Sequence, residues 1–452
     1  MKLKNSKQTK NGNGIKILLL LTFGLFLNSI NGQTIKLIDP TPKTPTAAQF
    51  QQPNILKSPT YGYKPTTINI YGNQNNQSRY QKQINQYEKD RQLVLQREKE
   101  LKKVMTELNS ERVNVSYTLP SSSDINGMNY YRKAFTKLSE MNPNDFSIKE
   151  TTFIIENAFF EEKQNFDDFS KIIKQTGEFL LEKMDDFGYD KKSNVAKNYI
   201  LFKFFADTLQ IKKKDLKHLP ITYDFNDYLG RENWSNMFVT KLLRTNKGQC
   251  NSMPRLYLIL AEEIGAKSFL SLSPNHSYIR FSDEVNNWYN VELTNQMFTT
   301  SSLITQSGYI KSEALLNKIY MQSLSKKELF SQLLSDLVMG YTSKFGYDEF
   351  SKVMIDKALE LSPNSITANM LKSTYNTFKT QYIFQQIGVT QDNFKQKMQH
   401  YPKALETLKI MKAQYQKIDN LGYTPMPEKA YQDWLESLRE EKKKKVWNKK
   451  IS

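Results

Sequence analysis

Cys250 is the only cysteine among the 452 residues, and this count limits how the chain can be held together. No internal disulfide can form, so any fold must be stabilised by a hydrophobic core. The apolar fraction is 38%, so we expect core-forming segments beside segments that do not fold. The lone thiol is either a buried core group or a reactive one, and its neighbours in the sequence decide between these roles.

The N-terminus is typical of an export signal. Five lysines precede residues 17–27 (ILLLLTFGLFL), an apolar run too short to span a hydrocarbon layer of ~30 Å. We predict a signal peptide over residues 1–32, cleaved after Gly32, with an uncleaved N-terminal anchor as the alternative. No later run reaches 18 apolar residues, so we expect no transmembrane span after signal removal and a periplasmic or secreted protein.

Composition divides the rest of the chain into four segments. Residues 33–79 are rich in Gln, Asn, Pro and Thr and predict a disordered spacer. Residues 80–112 carry i,i+4 charge pairs and predict one charged amphipathic helix. Residues 126–325 read as helices followed by short alternating strands, which is an α+β pattern. Ser147 can cap one of these helices, another is predicted over residues 195–209, and the strands are predicted at residues 269–273, 277–281 and 288–293. Residues 326–452 return to helices, with a repeat-like hairpin and a basic tail.

The net charge of +18 does not by itself indicate a nucleic-acid partner. The basic runs at residues 212–214 and 442–445 lack interleaved aromatic residues and do not lie on a known nucleic-acid module, so we expect no such partner. Solvated helix faces explain these lysines most simply. An acidic envelope polymer or an anionic membrane surface is the alternative partner, and its binding would depend steeply on salt.

The sequence around Cys250 predicts a thiol at the start of a helix. Pro254 is tolerated only in a first helical turn, so the helix must begin close to Cys250. The helix dipole and the free N–H groups favour the thiolate, and the same N–H groups can stabilise an oxyanion. Gln249 is a candidate oxyanion donor or a surface residue, and Trp234 is a candidate substrate-groove residue or a core residue.

A reactive thiol needs a base, and His276 is the histidine predicted in the same domain. It opens a strand, whereas His218 and His400 lie elsewhere and are read as incidental. On the next predicted strand, alternation places Glu292 and Asn290 on one face, and either could orient the imidazole. Three scattered histidines and one cysteine do not predict a metal site, and no cofactor is expected.

These motifs together resemble the transglutaminase-like superfamily. The resemblance rests on Gly-x-Cys at a helix start, Gly265 at its end, Asn-His-Ser-Tyr on a strand, and Val291-Glu292-Leu293-Thr294, where the family usually has Val-Asp-Pro-Thr. It covers about residues 140–300. Upstream segments, including Tyr223-Asp224 and Asn233-Trp234, resemble a bacterial branch joined to tetratricopeptide-like helices.

The resemblance implies a papain-like core with N-terminal helices, followed by an all-α repeat-like region. It also implies a Cys250–His276–Glu292 triad that attacks amide bonds of a protein or peptide substrate. The acyl group would pass to water, as in a peptidase or amidase, or to an amine, as in a glutamine acyltransferase. The alternative is an inactive fold that serves as an envelope binding or assembly module, with a partner bound through the C-terminal helices.

Overall fold

The computed structural model describes residues 74–109, 115–211, 214–305 and 309–451. The predicted signal peptide (residues 1–32) and most of the predicted spacer (residues 33–79) lie outside these ranges and stay predictions. The described chain combines many helices with small sheets, so it is an α+β protein, as the sequence predicted. Within these ranges, no helix is both long enough and apolar enough to cross a membrane.

Helices account for most of the described chain and are numbered here in chain order. Those before the main sheet are α1 (Gln74–Asn109), α2 (Met128–Glu140), α3 (Ile148–Phe159), α4 (Phe166–Asp186), α5 (Asn194–Ala206), α6 (Val239–Thr245) and α7 (Ser252–Glu263). Those after it are α8 (Ser301–Thr305), α9 (Ser312–Leu316), α10 (Lys326–Phe345), α11 (Glu349–Leu361), α12 (Ile366–Gln386), α13 (Phe394–His400), α14 (Pro402–Asn420) and α15 (Glu428–Ile451). A 3₁₀ turn covers Trp234–Met237.

The strands form one four-stranded sheet and two small pairs. They are β1 (Leu209–Ile211), β2 (Leu216–His218), β3 (Thr222–Tyr223), β4 (Lys247–Gly248), β5 (Phe269–Ser273), β6 (His276–Ser282), β7 (Trp288–Glu292) and β8 (Met297–Thr299). Strands β5 to β8 are antiparallel and adjacent in chain order, β1 pairs antiparallel with β2, and β3 pairs parallel with β4. The three predicted strands at residues 269–273, 277–281 and 288–293 are therefore confirmed.

Local signals set several of the helix ends. Ser147 caps α3 by accepting a hydrogen bond from the Glu150 N–H, as its position in the sequence predicted. Gly265 has φ +67° and follows the last turn of α7, which confirms it as the C-terminal stop. The helix predicted over residues 195–209 ends earlier, at Ala206, because Leu209 and Ile211 are the buried positions of the short strand β1.

The described chain divides into two compact units. One comprises Tyr117–Phe384 and Met398–Ser452, and the other contains α1 together with Gln385–Lys397. Helix α1 includes residues 80–109 of the helix predicted over residues 80–112 and starts earlier, at Gln74, while residues 110–112 lie outside the described residues.

The described residues form one large and one small hydrophobic cluster, and the small one is built by Ala314, Ile319, Tyr320, Ile366, Ile418 and Leu421. The large cluster includes Tyr257 on α7, Ile279 on the sheet, Leu337 on α10 and Tyr431 on α15. The sheet, the helix that follows Cys250, α10 and α15 therefore share one core. Assignment of the C-terminal helices to a tetratricopeptide-like repeat remains a prediction.

Candidate active site

Cys250 lies between a short parallel strand pair and the first turn of a helix. Strand β4 pairs with β3 so that Gly248 is opposite Tyr223, and α7 begins two residues after Cys250, with Pro254 in its first turn. A Cβ on Gly248 would lie 2.5 Å from Leu242 Cδ1, so this position has room only for glycine. The cysteine is partly exposed, and its carbonyl accepts a hydrogen bond from the Ser277 hydroxyl.

His276 is placed by the tight turn between β5 and β6. Ser273 pairs with His276 across a turn of Pro274 and Asn275, and Asn275 has φ +55°, a conformation that asparagine tolerates. The His276 Nε2 lies 2.7 Å from Glu292 Oε2, and both side chains are buried. Since the carboxylate can only accept, Nε2 carries the hydrogen of this bond.

Glu292 is itself held in place from the other side. Its Oε1 accepts a hydrogen bond from the Thr294 N–H at 2.8 Å. The side chain is one methylene longer than the aspartate typical of the resembled family, yet its contact with the imidazole has the normal length of a charge-assisted hydrogen bond. The longer acid is therefore accommodated without loss of the contact.

The second nitrogen of the imidazole is the one available to the thiol. Nδ1 of His276 is buried and has no hydrogen bond of ordinary geometry within the described residues. Cys250 and His276 are nevertheless neighbours: Cys250 Sγ lies 4.0 Å from the carbonyl oxygen of Asn275, the residue before His276, and each side chain shifts the pKa of the other. Nε2 is engaged by Glu292, so we infer that Nδ1 faces the sulfur.

The other residues singled out from the sequence lie elsewhere. Asn290 is buried on β7, but its Nδ2 donates to the Thr299 carbonyl and to the Ser301 hydroxyl, not to His276. Gln249 is fully buried, and its amide points to the Asn226 carbonyl at 3.5 Å. Of the two side chains proposed from alternation on β7, Glu292 is therefore the one that contacts the imidazole.

Trp234 lines a small, partly open pocket that is also lined by Asn251, the residue after Cys250, and by Glu156, Arg255 and Asp336. The Trp234 Nε1 is buried without a hydrogen bond to any described residue. Trp234 thus borders the helix that follows Cys250, but it is not grouped with the thiol, the imidazole and the carboxylate.

Charge in this buried site favours a thiolate and an imidazolium. Burial alone raises the pKa of Cys250, but the hydrogen bond and charge of His276, followed by the Tyr431 hydroxyl, lower it overall. Burial alone lowers the pKa of His276, but the Glu292 charge and the hydrogen bonds to Cys250 and Glu292 raise it to about 10. Burial also opposes ionisation of Glu292, yet the charge and hydrogen bond of His276 keep the pKa of this carboxyl below its usual value. The imidazolium therefore stabilises, and is stabilised by, both the thiolate and the carboxylate, whereas the Glu292 charge by itself raises the pKa of Cys250.

Three aromatic residues at the site were not expected from the sequence as functional groups. The Tyr431 hydroxyl donates to Cys250 Sγ at 3.7 Å, and the Trp434 ring lies 4.7 Å from the His276 ring. The buried Tyr223 is the residue opposite Gly248. Tyr223 belongs to a segment that the family resemblance had already marked. No local pattern linked Tyr431 or Trp434 to a cysteine more than 180 residues earlier.

The side chains at this site do not suggest a metal-binding site. In the part of the chain that the structure describes, no group of three or more His, Cys, Asp and Glu side chains is arranged to hold a metal ion.

Because the pKa of Cys250 is lowered, we predict that iodoacetamide alkylates this cysteine at a lower pH than it alkylates an ordinary cysteine. An acid with a lowered pKa ionises at lower pH, so the rate should increase through a midpoint below ~8.5, the ordinary value for cysteine. With one cysteine, intact mass measures the reaction without site assignment. The same protein in denaturant is the control and should titrate near the ordinary value. A folded midpoint at or above that of the denatured chain would contradict the prediction.

No protein-family model matches this chain, and neither a curated protein nor a solved structure shows significant similarity to it.

Proposed function

We propose that this protein is a transglutaminase-like cysteine enzyme that cleaves or transfers amide-linked acyl groups of a protein or peptide substrate. The observation that carries the proposal is the contact chain from Cys250 through His276 to Glu292, with 2.7 Å between His276 Nε2 and the carboxylate. A nucleophile beside a base that is oriented by a third group is the arrangement used in covalent acyl transfer.

The reaction follows from the charges of the site. The Cys250 thiolate attacks the carbonyl carbon, a C–S bond forms, and the carbonyl electrons move to oxygen. The His276 imidazolium then gives its proton to the leaving amine, the C–N bond breaks, and a thioester remains on Cys250. Glu292 holds the ring and stabilises its positive charge. Water or an amine then attacks the thioester carbonyl, the imidazole takes the proton of the attacking group, and the C–S bond breaks to regenerate the thiolate beside the imidazolium.

The acyl acceptor follows from the supply of water. Hydrolysis needs no special arrangement, because water is present at any partly exposed site, whereas transfer to an amine requires water to be excluded. Cys250 is partly exposed, which favours hydrolysis as the main reaction. The predicted signal peptide would place this activity in the periplasm or outside the cell.

The test is formation of an acyl-enzyme on Cys250. Glutamine-containing peptides are incubated with the protein with and without hydroxylamine, and ammonia, hydroxamate and the intact mass of the protein are measured. We expect ammonia release that is lost in Cys250→Ser and in His276→Gln, and a hydroxamate product when hydroxylamine is present. Equal activity in wild type and Cys250→Ser would refute the proposal. Absence of an acyl-enzyme with both this peptide set and an activated ester would favour the envelope-binding alternative.

A further inference from the structure

Helix α15 places two aromatic side chains on the proposed active site. The Tyr431 hydroxyl donates to Cys250 Sγ, and the Trp434 ring meets the imidazole edge-on at an interplanar angle of 68°. Tyr431 and Leu435 are 1% and 3% exposed and belong to the same core as the sheet and α7. The helix is therefore a packed part of the site and not a loosely placed cover.

A second phenol approaches Cys250 from β3. Tyr223 is 6% exposed, and its hydroxyl is buried without a hydrogen bond of ordinary geometry to any described residue. The groups that act on this hydroxyl include Tyr431, the Cys250 side chain and the Cys250 main-chain N–H. Tyr223 pairs with Gly248, two residues before Cys250, so two phenols approach the cysteine, one from a strand and one from the C-terminal helix.

The chemistry of the site requires donors that stabilise an oxyanion. Acyl transfer places negative charge on the carbonyl oxygen, and donors fixed in a buried site stabilise that charge. The Gln249 amide, the side-chain donor proposed from the sequence beside the helix N–H groups, is directed at the Asn226 carbonyl. Burial, with the charge of Cys250 adding to it, holds the pKa of both tyrosines well above the usual value, so both stay protonated at neutral pH and remain able to donate.

We propose that Tyr431 and Tyr223 form a hydroxyl donor pair that stabilises the thiolate in the resting enzyme and the carbonyl oxyanion during acyl transfer. The inference rests on the proposed function and names its donors. Tyr431 touches the reacting sulfur and is a catalytic residue in this scheme. Neither phenol transfers its proton: each donates a hydrogen bond while charge develops on oxygen, and the bond weakens when the carbonyl re-forms and the amine leaves.

Two reagents separate oxyanion stabilisation from thiolate formation. Iodoacetamide alkylates the thiolate without forming an oxyanion, whereas p-nitrophenyl acetate acylates it through one. Second-order rate constants for both are measured for wild type, Tyr431→Phe and Tyr223→Phe at a pH above the alkylation midpoint of each protein. We expect acylation to fall by about 10²-fold in each variant, with alkylation changed by less than about threefold.

Tyr228→Phe is the matched control. Tyr228 packs against Tyr431 with ring centroids 5.7 Å apart, and the groups that act on its hydroxyl are Gln432, Glu428 and Arg231 and not Cys250. The Tyr228→Phe substitution should leave both rate constants near the wild-type values. Circular dichroism and the midpoint of urea denaturation check the folding of all three variants.

The outcomes distinguish the donor pair from the function on which it rests. Wild-type acylation no faster than that of the denatured chain would overturn both proposals. Fast wild-type acylation that is unchanged in both phenylalanine variants would overturn only the donor pair, as would an equal loss of alkylation and acylation. Faster reaction of Tyr431→Phe with either reagent would also overturn it, because the hydroxyl would then be blocking the sulfur.

Discussion

Replacing Asp336 with alanine is expected to lower the free energy of unfolding by about 3–5 kcal/mol. Asp336 on α10 accepts a hydrogen bond from Arg255 on α7 at 2.6 Å, and the two side chains are 9% and 5% exposed. Burial raises the pKa of Asp336, and the charge of Arg255 acts in the opposite direction. The pair therefore lies in an environment that disfavours an unpaired charge. Alanine would leave the Arg255 guanidinium buried without its hydrogen-bonded carboxylate, with Glu156 as the remaining acidic group near it.

Urea denaturation followed by tryptophan fluorescence measures this loss. The double variant Arg255→Met/Asp336→Leu removes both charges and fills a similar volume, so it should lose much less stability than Asp336→Ala alone. Asp433→Ala is the surface control, because the Lys429–Asp433 pair is largely exposed and should move the midpoint little. A double variant as unstable as Asp336→Ala would show that the loss comes from packing and not from the unpaired charge.

Features that depend on neighbours in the chain could be predicted from the sequence. The Ser147 cap, the Gly265 stop and the strands that carry His276 and Glu292 rest on capping, φ and alternation, which act over a few residues. The α+β class and the grouping of Cys250 with His276 followed from the same local signals.

The choice between Glu292 and Asn290 needed strand register. Alternation puts both residues on one face of β7, and nothing local separates them. In the sheet, Arg280 pairs with Asn290 and Ile279 with Val291, so the residue nearest the His276 end of β6 is Glu292. Register is set by the packing of the whole sheet, which a single strand does not encode.

Contacts between distant segments were beyond the reach of sequence patterns. Tyr431 meets Cys250 because α15 buries Tyr431 and Leu435 in a core built largely by earlier elements. Arg255 and Asp336 were similarly indistinguishable in sequence from residues on solvated helix faces, since only tertiary packing reveals a buried charge pair. Local periodicity reports which residues are apolar, but not which elements will cover them.

Glu292→Ala is expected to slow acylation of Cys250 at pH 7 by about 10⁴-fold, the loss seen when the orienting acid of a triad is disabled. Burial lowers the pKa of His276, and the Glu292 charge is the largest influence that raises it. Without the carboxylate, the pKa of His276 falls and less imidazolium is present to lower the pKa of Cys250, an effect larger than the loss of the direct Glu292 charge, so the pKa of Cys250 rises. The alkylation profile should therefore move to higher pH in the same variant.

Substitutions of graded chemistry identify what the carboxylate contributes. Glu292→Gln keeps an oxygen acceptor for Nε2 but removes the charge, so its rate should lie between those of wild type and Glu292→Ala. Glu292→Asp restores the acid typical of the resembled family on a shorter side chain. Because the wild-type contact is already 2.7 Å, we expect the misplaced carboxylate to slow acylation by about 10²-fold.

Asn290→Ala is the control, because it removes the neighbouring amide on β7, which donates to Thr299 and Ser301 and not to His276. It should slow acylation far less. If Asn290→Ala and Glu292→Ala slowed acylation equally, the effect would have to be assigned to the strand as a whole, and the role of Glu292 as the partner of His276 would be wrong.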